Sequence, residues 1–378
     1  MLLGELRPVY VIGVGWHRYQ RLSETNYIDL GLAAVRRALG DAGIGWEAID
    51  ESFIATMWLG SAIGRPMLAG LGARGKPLVH VENASASGSA AFRLGCVHVA
   101  AAISDVALVV GVDKPRALNR ASTGITGLAD DATALNYVPS THFSLLMEKY
   151  KVTYGATDED IARIAVKNHG NGALNPHAHR QQRRSLAEVL DSKRLSGSLT
   201  ALQCCPVGEG AAAVILASEE AIKRWNIEPA KPVRVVASAA ASERVRSSDQ
   251  ELSAEVIGRA LREARITPDA VDVFELHDAF AIEEALYVEA SGIASQGTYL
   301  PMLKEGAFDI GGRCAVSASG GLISMGHPIG PTGVGQVGEL TLQLRGMAGE
   351  RQHPGARVGL AHMVGTGAVG YGHVLVRP

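Results

Sequence analysis

Hydrophobic positions along the chain fall into two alternating periods. VYVIGVG at 9 to 15 is a short Val/Ile-rich run, and the stretch from about Tyr27 to Ala42 is Ala-rich with apolar residues at helical spacing, so the chain opens with an expected strand and helix. The second half starts the same way. PVRVVASAAA at 232 to 241 predicts a strand, SDQELSAEVIGRALREARI a helix with Asp249 as candidate cap, and VDVFEL a buried strand. Strands alternating with longer helices predict a layered α/β protein.

The two openings also match residue by residue. Ala38, Leu39, Ala42, Ile44, Ala48 and Asp50 meet Ala260, Leu261, Ala264, Ile266, Ala270 and Asp272 at a constant offset of 222, and SASG at Ser85 to Gly88 returns at Ser317 to Gly320. Such echoes, each expected to precede a small-residue helix, predict a duplicated fold. Pro229 and Pro232 break the chain before a new strand, which divides it into residues 1–228 and 229–378. The first half is longer because of a polar, His- and Asn-rich region at about 114–199, read as a ligand-facing cap with helices of its own.

Composition removes several classes of function. The 378 residues are 47% hydrophobic and 20% charged, which supplies a large core, and a net charge of -2 offers no general field for nucleic acid or anionic lipid. An anionic ligand therefore needs a local site. No apolar run approaches the ~18 residues of a membrane span, and Glu5 and Arg7 interrupt any signal peptide, so a cytoplasmic location is expected. Cys96, Cys204, Cys205 and Cys314 lack metal-binding spacing, and no bound metal is expected.

Four turns carry candidate chemistry. In VENASASGSAAFRLG a strand ends in a small-residue turn that opens a helix, presenting Ser85 over helix N–H groups, although tight Ala/Gly packing explains the same pattern. HDAF puts His277 and Asp278 at a strand end. GGLISMGHPIGPTGVGQ encloses His327 between glycines and a proline, a setting that ligand approaches closely. LAHMVGTGAVGYGHVLV is Gly-rich, contains Gly365, and carries His362, which either reaches the site or caps the sheet, the cap being the simpler reading.

In order, ENAxASGSAA, KNHxNxxLNP, CCPVxEGAAAV, HDAF, GGLISxGHPxGxTGxxQ and the final Gly-rich loop resemble the thiolase superfamily, in its sterol-carrier-protein thiolase-like and lipid-transfer-protein branch, over nearly the whole chain. The resemblance implies the five-layered α-β-α-β-α thiolase fold from two duplicated halves. It also implies an acyl-CoA substrate, with coenzyme A present only as part of that substrate, and a homodimer. Relatives often assemble with a small OB-fold, zinc-ribbon partner.

The departures carry as much meaning. Ser85 stands where thiolases have their nucleophilic Cys, Ala279 where many relatives have a second one, and no Cys follows Cys314. A hydroxyl is far less acidic than a thiol. The resemblance to cysteine-less aldolases of this branch therefore implies retro-aldol cleavage of a bulky, steroid-like β-hydroxyacyl-CoA, a reaction that needs no acyl-enzyme. Two alternatives stand behind it: acyl transfer with Ser85 as the nucleophile, natural or replacing a Cys, and an inactive acyl-CoA-binding scaffold.

By carry-over, His327 and His277 hold the enolate oxygen, with Asp278, His362 and Gly365 in support. Tyr299, with a pKa lowered by its surroundings, is the candidate base ahead of Tyr371. His142 and His169 are candidates for the pantetheine tunnel, and Lys167, Arg180, Arg183 and Arg184 for phosphate contacts; core packing and a solvated basic face are the ordinary explanations.

Overall fold

Asn26 caps the first long helix by accepting from Ile28 N at 3.0 Å, and Gly43, in the left-handed region at φ 74°, closes it. The helix bounds thereby match the hydrophobic pattern. The computed structural model describes residues 3–72, 75–115, 138–244, 248–365 and 369–377. The first half comprises β1 (Val9–Gln20), α1 (Tyr27–Ala42), β2 (Glu51–Ala55), α2 (Gly64–Ala69), β3 (Leu78–Val81), α3 (Ser87–Ala100) and β4 (Val106–Asp113). Cap elements α4 (Pro139–Tyr154), α5 (Asp158–Gly172), α6 (Leu186–Leu190), β5 (Arg194–Ser196) and β6 (Leu199–Thr200) follow, then β7 (Glu209–Ser218) and α7 (Glu219–Arg224). Residues 116–137 of the expected cap lie outside the described residues. The second half holds β8 (Val233–Ser242), α8 (Asp249–Ala264), β9 (Val273–Glu275), α9 (Ala281–Ala290), α10 (Tyr299–Lys304), β10 (Ala315–Val316), α11 (Gly321–Ser324), α12 (Thr332–Arg345), β11 (Val358–Gly365) and β12 (Val369–Val376).

The strand order β10-β9-β11-β12-β8-β1-β7-β4-β2-β3 reads the same outward from the β8–β1 seam in both directions. The seam is a short antiparallel pairing of Val9, Tyr10 and Val11 with Val235, Arg234 and Val233. The 222-residue offset is one joint built twice. Asp50 Oδ2 accepts from Asp105 N and Val106 N at 2.9 and 2.8 Å, and Asp272 Oδ2 accepts from Arg357 N and Val358 N at 2.7 and 2.9 Å.

Alternation along β7 sorts its side chains into two layers. Ala213 and Ile215 join Val35 and Ala38 of α1 on the outside, whereas Val214 and Leu216 join Phe92 of α3 and Val334 of α12 in the centre. Val256 and Ile282, from α8 and α9, belong to a third cluster on the far side of the second-half strands. Helix, sheet, paired central helices, sheet and helix make five layers.

Two local expectations are corrected. Ser248, not Asp249, caps α8, accepting from Glu251 N at 3.2 Å. The second SASG opens only the four residues of α11, because Gly326 at φ 106° and Ile329 at φ 56° turn the chain before α12 begins. Among the described residues, no helix is long and apolar enough to cross a membrane.

The central helices touch through glycine. A Cβ on Gly88 would lie 2.6 Å from Gly330 O and 2.9 Å from Val334 N, backbone atoms that cannot rotate aside. Gly88→Ala is expected to destabilise the fold by about 1–3 kcal/mol, read as a lower Tm in thermal unfolding. Gly40→Ala, in open space within α1, is the control and is expected to stabilise by about 0.5–1 kcal/mol.

Candidate active site

Between β3 and α3 the chain reverses sharply, with Ala84 in the left-handed region at φ 49°. Local side chains hold this turn: Glu82 Oε1 accepts from Ala84 N at 2.6 Å, and Ser87 Oγ accepts from Asn83 N at 2.8 Å and donates to Ala84 O at 2.6 Å. Ser85 is thereby held inward at 7% exposure, its Oγ 3.0 Å from His327 Nε2. Gly365, at the end of β11, lies against the same turn; a Cβ there would sit 2.4 Å from Asn83 O. Only glycine fits. Residues 366–368 of the Gly-rich loop lie outside the described residues.

His327 follows α11, and its Nδ1 is 2.8 Å from Thr332 Oγ1. Its loop is pinned to the first half by Asp113, a residue not singled out from the sequence. Asp113 accepts from Gly330 N at 2.7 Å, Thr56 Oγ1 at 2.7 Å, and Met57 N and Trp58 N at 2.9 Å. Burial outweighs these bonds and raises its carboxyl to about 6.

His277 leaves β9 and meets His327 edge to face, with ring centroids 5.4 Å apart. Its Nδ1 lies 2.9 Å from Glu283 Oε1, which also accepts from Tyr287 OH at 3.1 Å, while Glu283 Oε2 accepts from Phe280 N at 2.9 Å. A carboxylate accepts, so the proton sits on Nδ1 and the lone pair on Nε2. His277 Nε2 is buried without a partner among the described residues. Burial and the neighbouring His277 hold His327 well below the ordinary histidine range.

His362 stands beside this group, its ring edge-on to Tyr287 at 5.1 Å and pushed down to about 3 by burial, His277 and His373. Neither of its nitrogens has a partner among the described residues. It belongs to the imidazole cluster, although its sequence position alone suits a sheet cap. Tyr371 OH accepts from Asn83 Nδ2 at 3.1 Å, at the base of the Ser85 turn.

Tyr299 is corrected as a base of lowered pKa. It is fully buried, stacks on Phe308 at 4.7 Å and donates to Glu284, and burial with Glu284 raises its phenol well above the ordinary range. Lys167 does not face solvent phosphates: its Nζ is 3.0 Å from Glu284 Oε1 and donates to Val316 O at 2.6 Å. Asp278 supports the site by buttressing a loop: its Oδ1 accepts from Leu322 N at 2.7 Å and its Oδ2 from Asn168 Nδ2 at 2.8 Å, which fixes α11.

Glu283 takes the orienting role, and sequence reasoning missed it. The signal was its place three residues after Phe280, where a carboxylate reaches back to the first free N–H of a helix. His169 is buried against Leu202 O at 3.1 Å, a core position, and His142 is half-buried with its ring edge-on to Phe143 at 5.0 Å. Arg184 pairs with Glu188 at 3.0 Å, and Arg183 is exposed. All four cysteines are free, and burial raises each thiol, Cys204 and Cys314 to about 12. None is a thiolate nucleophile at neutral pH. No group of three or more metal-ligating side chains occurs among the described residues.

The site thus offers one imidazole with a carboxylate behind it and a second held between two hydroxyls. Comparison with known proteins places the chain. The family profile "Thiolase, N-terminal domain" matches residues 17–185, and "Thiolase C-terminal domain-like" matches residues 238–376. Sterol carrier protein 2 of Gallus gallus is 33% identical across 96% of this chain and 70% of its own. Benzoylsuccinyl-CoA thiolase subunit BbsB of Thauera aromatica is 34% identical across 96% of this chain and 95% of its own. Acetyl-CoA acetyltransferase of Methanothermobacter thermautotrophicus is 32% identical across 98% and 100%. Among solved structures, the Ltp2-ChsH2(DUF35) aldolase superposes with a TM-score of 0.85 over 98% of both chains at 20% identity, a likeness of fold.

Proposed function

The chain belongs to the thiolase superfamily, and from that premise we propose that it cleaves a carbon–carbon bond of a β-hydroxyacyl-CoA by retro-aldol chemistry. The observation that carries this reading is the pairing at the head of α3: a hydroxyl, Ser85 Oγ, rather than a thiol, lies 3.0 Å from His327 Nε2. Retro-aldol cleavage needs a base and an oxyanion donor but no covalent acyl-enzyme.

Roles follow from proton positions. His277, backed by Glu283, takes the β-hydroxyl proton on Nε2; the Cα–Cβ bond breaks, releasing an aldehyde or ketone and leaving the thioester enolate. Thr332 Oγ donating to His327 Nδ1 leaves Nε2–H to hold the enolate oxygen, and the proton on His277 returns to Cα. A shortened acyl-CoA results, with atoms and charge balanced. A bulky, steroid-like acyl chain is the first substrate to test. The protein is proposed to act as a homodimer with a small OB-fold, zinc-ribbon partner; the two-component name of the Ltp2-ChsH2(DUF35) aldolase supports the presence of a second subunit.

The test is mass spectrometry of CoA products, with and without such a partner, from β-hydroxyacyl-CoA alone and from β-ketoacyl-CoA plus free CoA. Shortened acyl-CoA and a carbonyl compound from the hydroxy substrate alone are expected. Cleavage confined to the keto substrate with CoA would overturn the lyase in favour of acyl transfer through Ser85. Turnover of neither substrate under any condition would point to a scaffold. Under the lyase reading, Ser85→Ala loses one hydrogen bond to His327 and is expected to slow cleavage by about tenfold or less; an acyl-transfer enzyme would lose its nucleophile and essentially all activity.

A further inference from the structure

Next to the loop that carries His327, residues of both halves line a small cavity. Its volume is about 20 Å3, room for one water-sized molecule and none for an organic ligand. Trp16 and Tyr19 of β1, Glu275 of β9, and Gly335, Gln336 and Glu339 of α12 line it, whereas Ser85, His277 and His327 do not. It is separate from the site itself. The two share a wall at Thr332, whose Oγ1 lies 2.8 Å from His327 Nδ1.

Two of the lining side chains carry unpaired polar atoms. Trp16 is 4% and Gln336 5% exposed, and neither the indole Nε1 nor either amide atom of Gln336 has a hydrogen-bond partner among the described residues. Buried polar groups are otherwise almost always paired. Glycine keeps space open at this point: a Cβ on Gly335 would stand 3.3 Å from Trp16 Nε1 and 2.5 Å from Tyr19 OH, which itself donates to Pro331 O at 2.9 Å.

The unpaired set decides what fits. Trp16 Nε1 and Gln336 Nε2 donate and Gln336 Oε1 accepts, so a cation would leave the donors unmet and an anion the acceptor. Water both accepts and donates. The charges agree, because Glu339 is spent on Arg351, whose Nε and Nη2 each lie 2.9 Å from its oxygens. Glu275 meets Ser319 N at 2.9 Å and Ser319 Oγ at 2.6 Å, and burial, followed by Glu339, raises its carboxyl to about 8, which leaves it protonated at neutral pH. The lining is left with no net charge to hold an ion.

We propose that this cavity holds one resident water, hydrogen-bonded to Trp16 Nε1 and to the Gln336 amide, which ties β1 of the first half to α12 of the second beside the His327 loop. Its place is the same whichever reaction the site catalyses.

A high-resolution crystal structure of the full-length wild type, grown with rubidium chloride, is the first test. One density peak within about 2.7–3.2 Å of Trp16 Nε1 and of a Gln336 amide atom, without rubidium anomalous signal, is expected. An anomalous peak would overturn the water in favour of a monovalent cation, and an empty cavity would overturn it outright. Thermal unfolding of Trp16→Phe, Gln336→Leu and the double variant is the second test; Phe keeps a ring against His177, on which Trp16 stacks at 4.9 Å. Each single change is expected to lower Tm by about 2–4 °C, and the two together by clearly less than the sum, because either one loosens the same water. Additive losses would overturn the shared water. If a variant fails to fold, the wild-type density alone decides.

Discussion

His277→Ala is expected to lower kcat for cleavage of the β-hydroxyacyl-CoA by about 10²–10⁴-fold, the range that a positioned general base contributes. His277 is the one imidazole of the pair with a carboxylate on Nδ1 and a buried, unpartnered Nε2, so its removal takes away the proton acceptor and leaves the fold's packing largely in place. Glu283→Gln separates this role from simple shape. The substituted amide would retain an acceptor for Phe280 N but lose the carboxylate that holds the proton on His277 Nδ1, and kcat is expected to fall while KM stays close to the wild-type value. His327→Ala removes a donor to the enolate oxygen and is expected to cost about 10²–10³-fold. Near-wild-type turnover in the His277 variant would remove this histidine from the chemistry.

Folding stability is expected to peak slightly below neutral pH and to fall on both sides. On the acid side, His362 and His373 are pushed from 6.5 to about 3 and His169, His177 and His179 to about 4, chiefly by burial. A histidine with a lowered folded pKa binds its proton more readily when unfolded, so stability is lost as pH falls below 6.5. Buried acids act in the opposite sense. Glu275 is raised from 4.5 to about 8 and Asp113 from 3.8 to about 6, again chiefly by burial, so each penalises the fold increasingly as pH rises towards those values. Between pH 8 and 6.5 Glu275 dominates and stability rises on acidification; between 6 and 4.5 the five histidines outnumber the two acids.

Each such group contributes up to about 1.4 kcal/mol per pH unit, so the excess of three, with the half-buried His179 counting for less, predicts a loss of about 3–4 kcal/mol per unit on the acid side. Urea unfolding at pH 8, 6.5 and 5 measures this. Stability still increasing from pH 6.5 to 5 would mean that the histidines are protonated in the fold, and with them the neutral imidazole cluster would be lost.

The chain itself determined the elements whose signals lie among neighbours in sequence. Helix α1 was legible because its apolar spacing, Asn26 cap and Gly43 terminus are local signals. The duplication was legible because Asp50 and Asp272 perform one backbone-pinning task at equivalent joints, and the same task preserves the same residue. His277 and His327 stood out because glycine and proline turns mark places where the backbone is shaped for a ligand.

What tertiary structure alone decided is which side chains meet. Ser85 and His327 are 242 residues apart and touch because the β8–β1 seam sets the two halves face to face with α3 against α12. Asp113, an ordinary strand-end acid in sequence, became the pin of the His327 loop only when β4 ended beneath Gly330. Glu283 partners His277 because the first turn of α9 aims its carboxylate back along the chain, while Asp278 faces Asn168 and Leu322. Tyr299 illustrates the limit most directly: a tyrosine's basicity is set by its surroundings, and burial against Glu284 pushes this phenol up where a catalytic base requires it to be low.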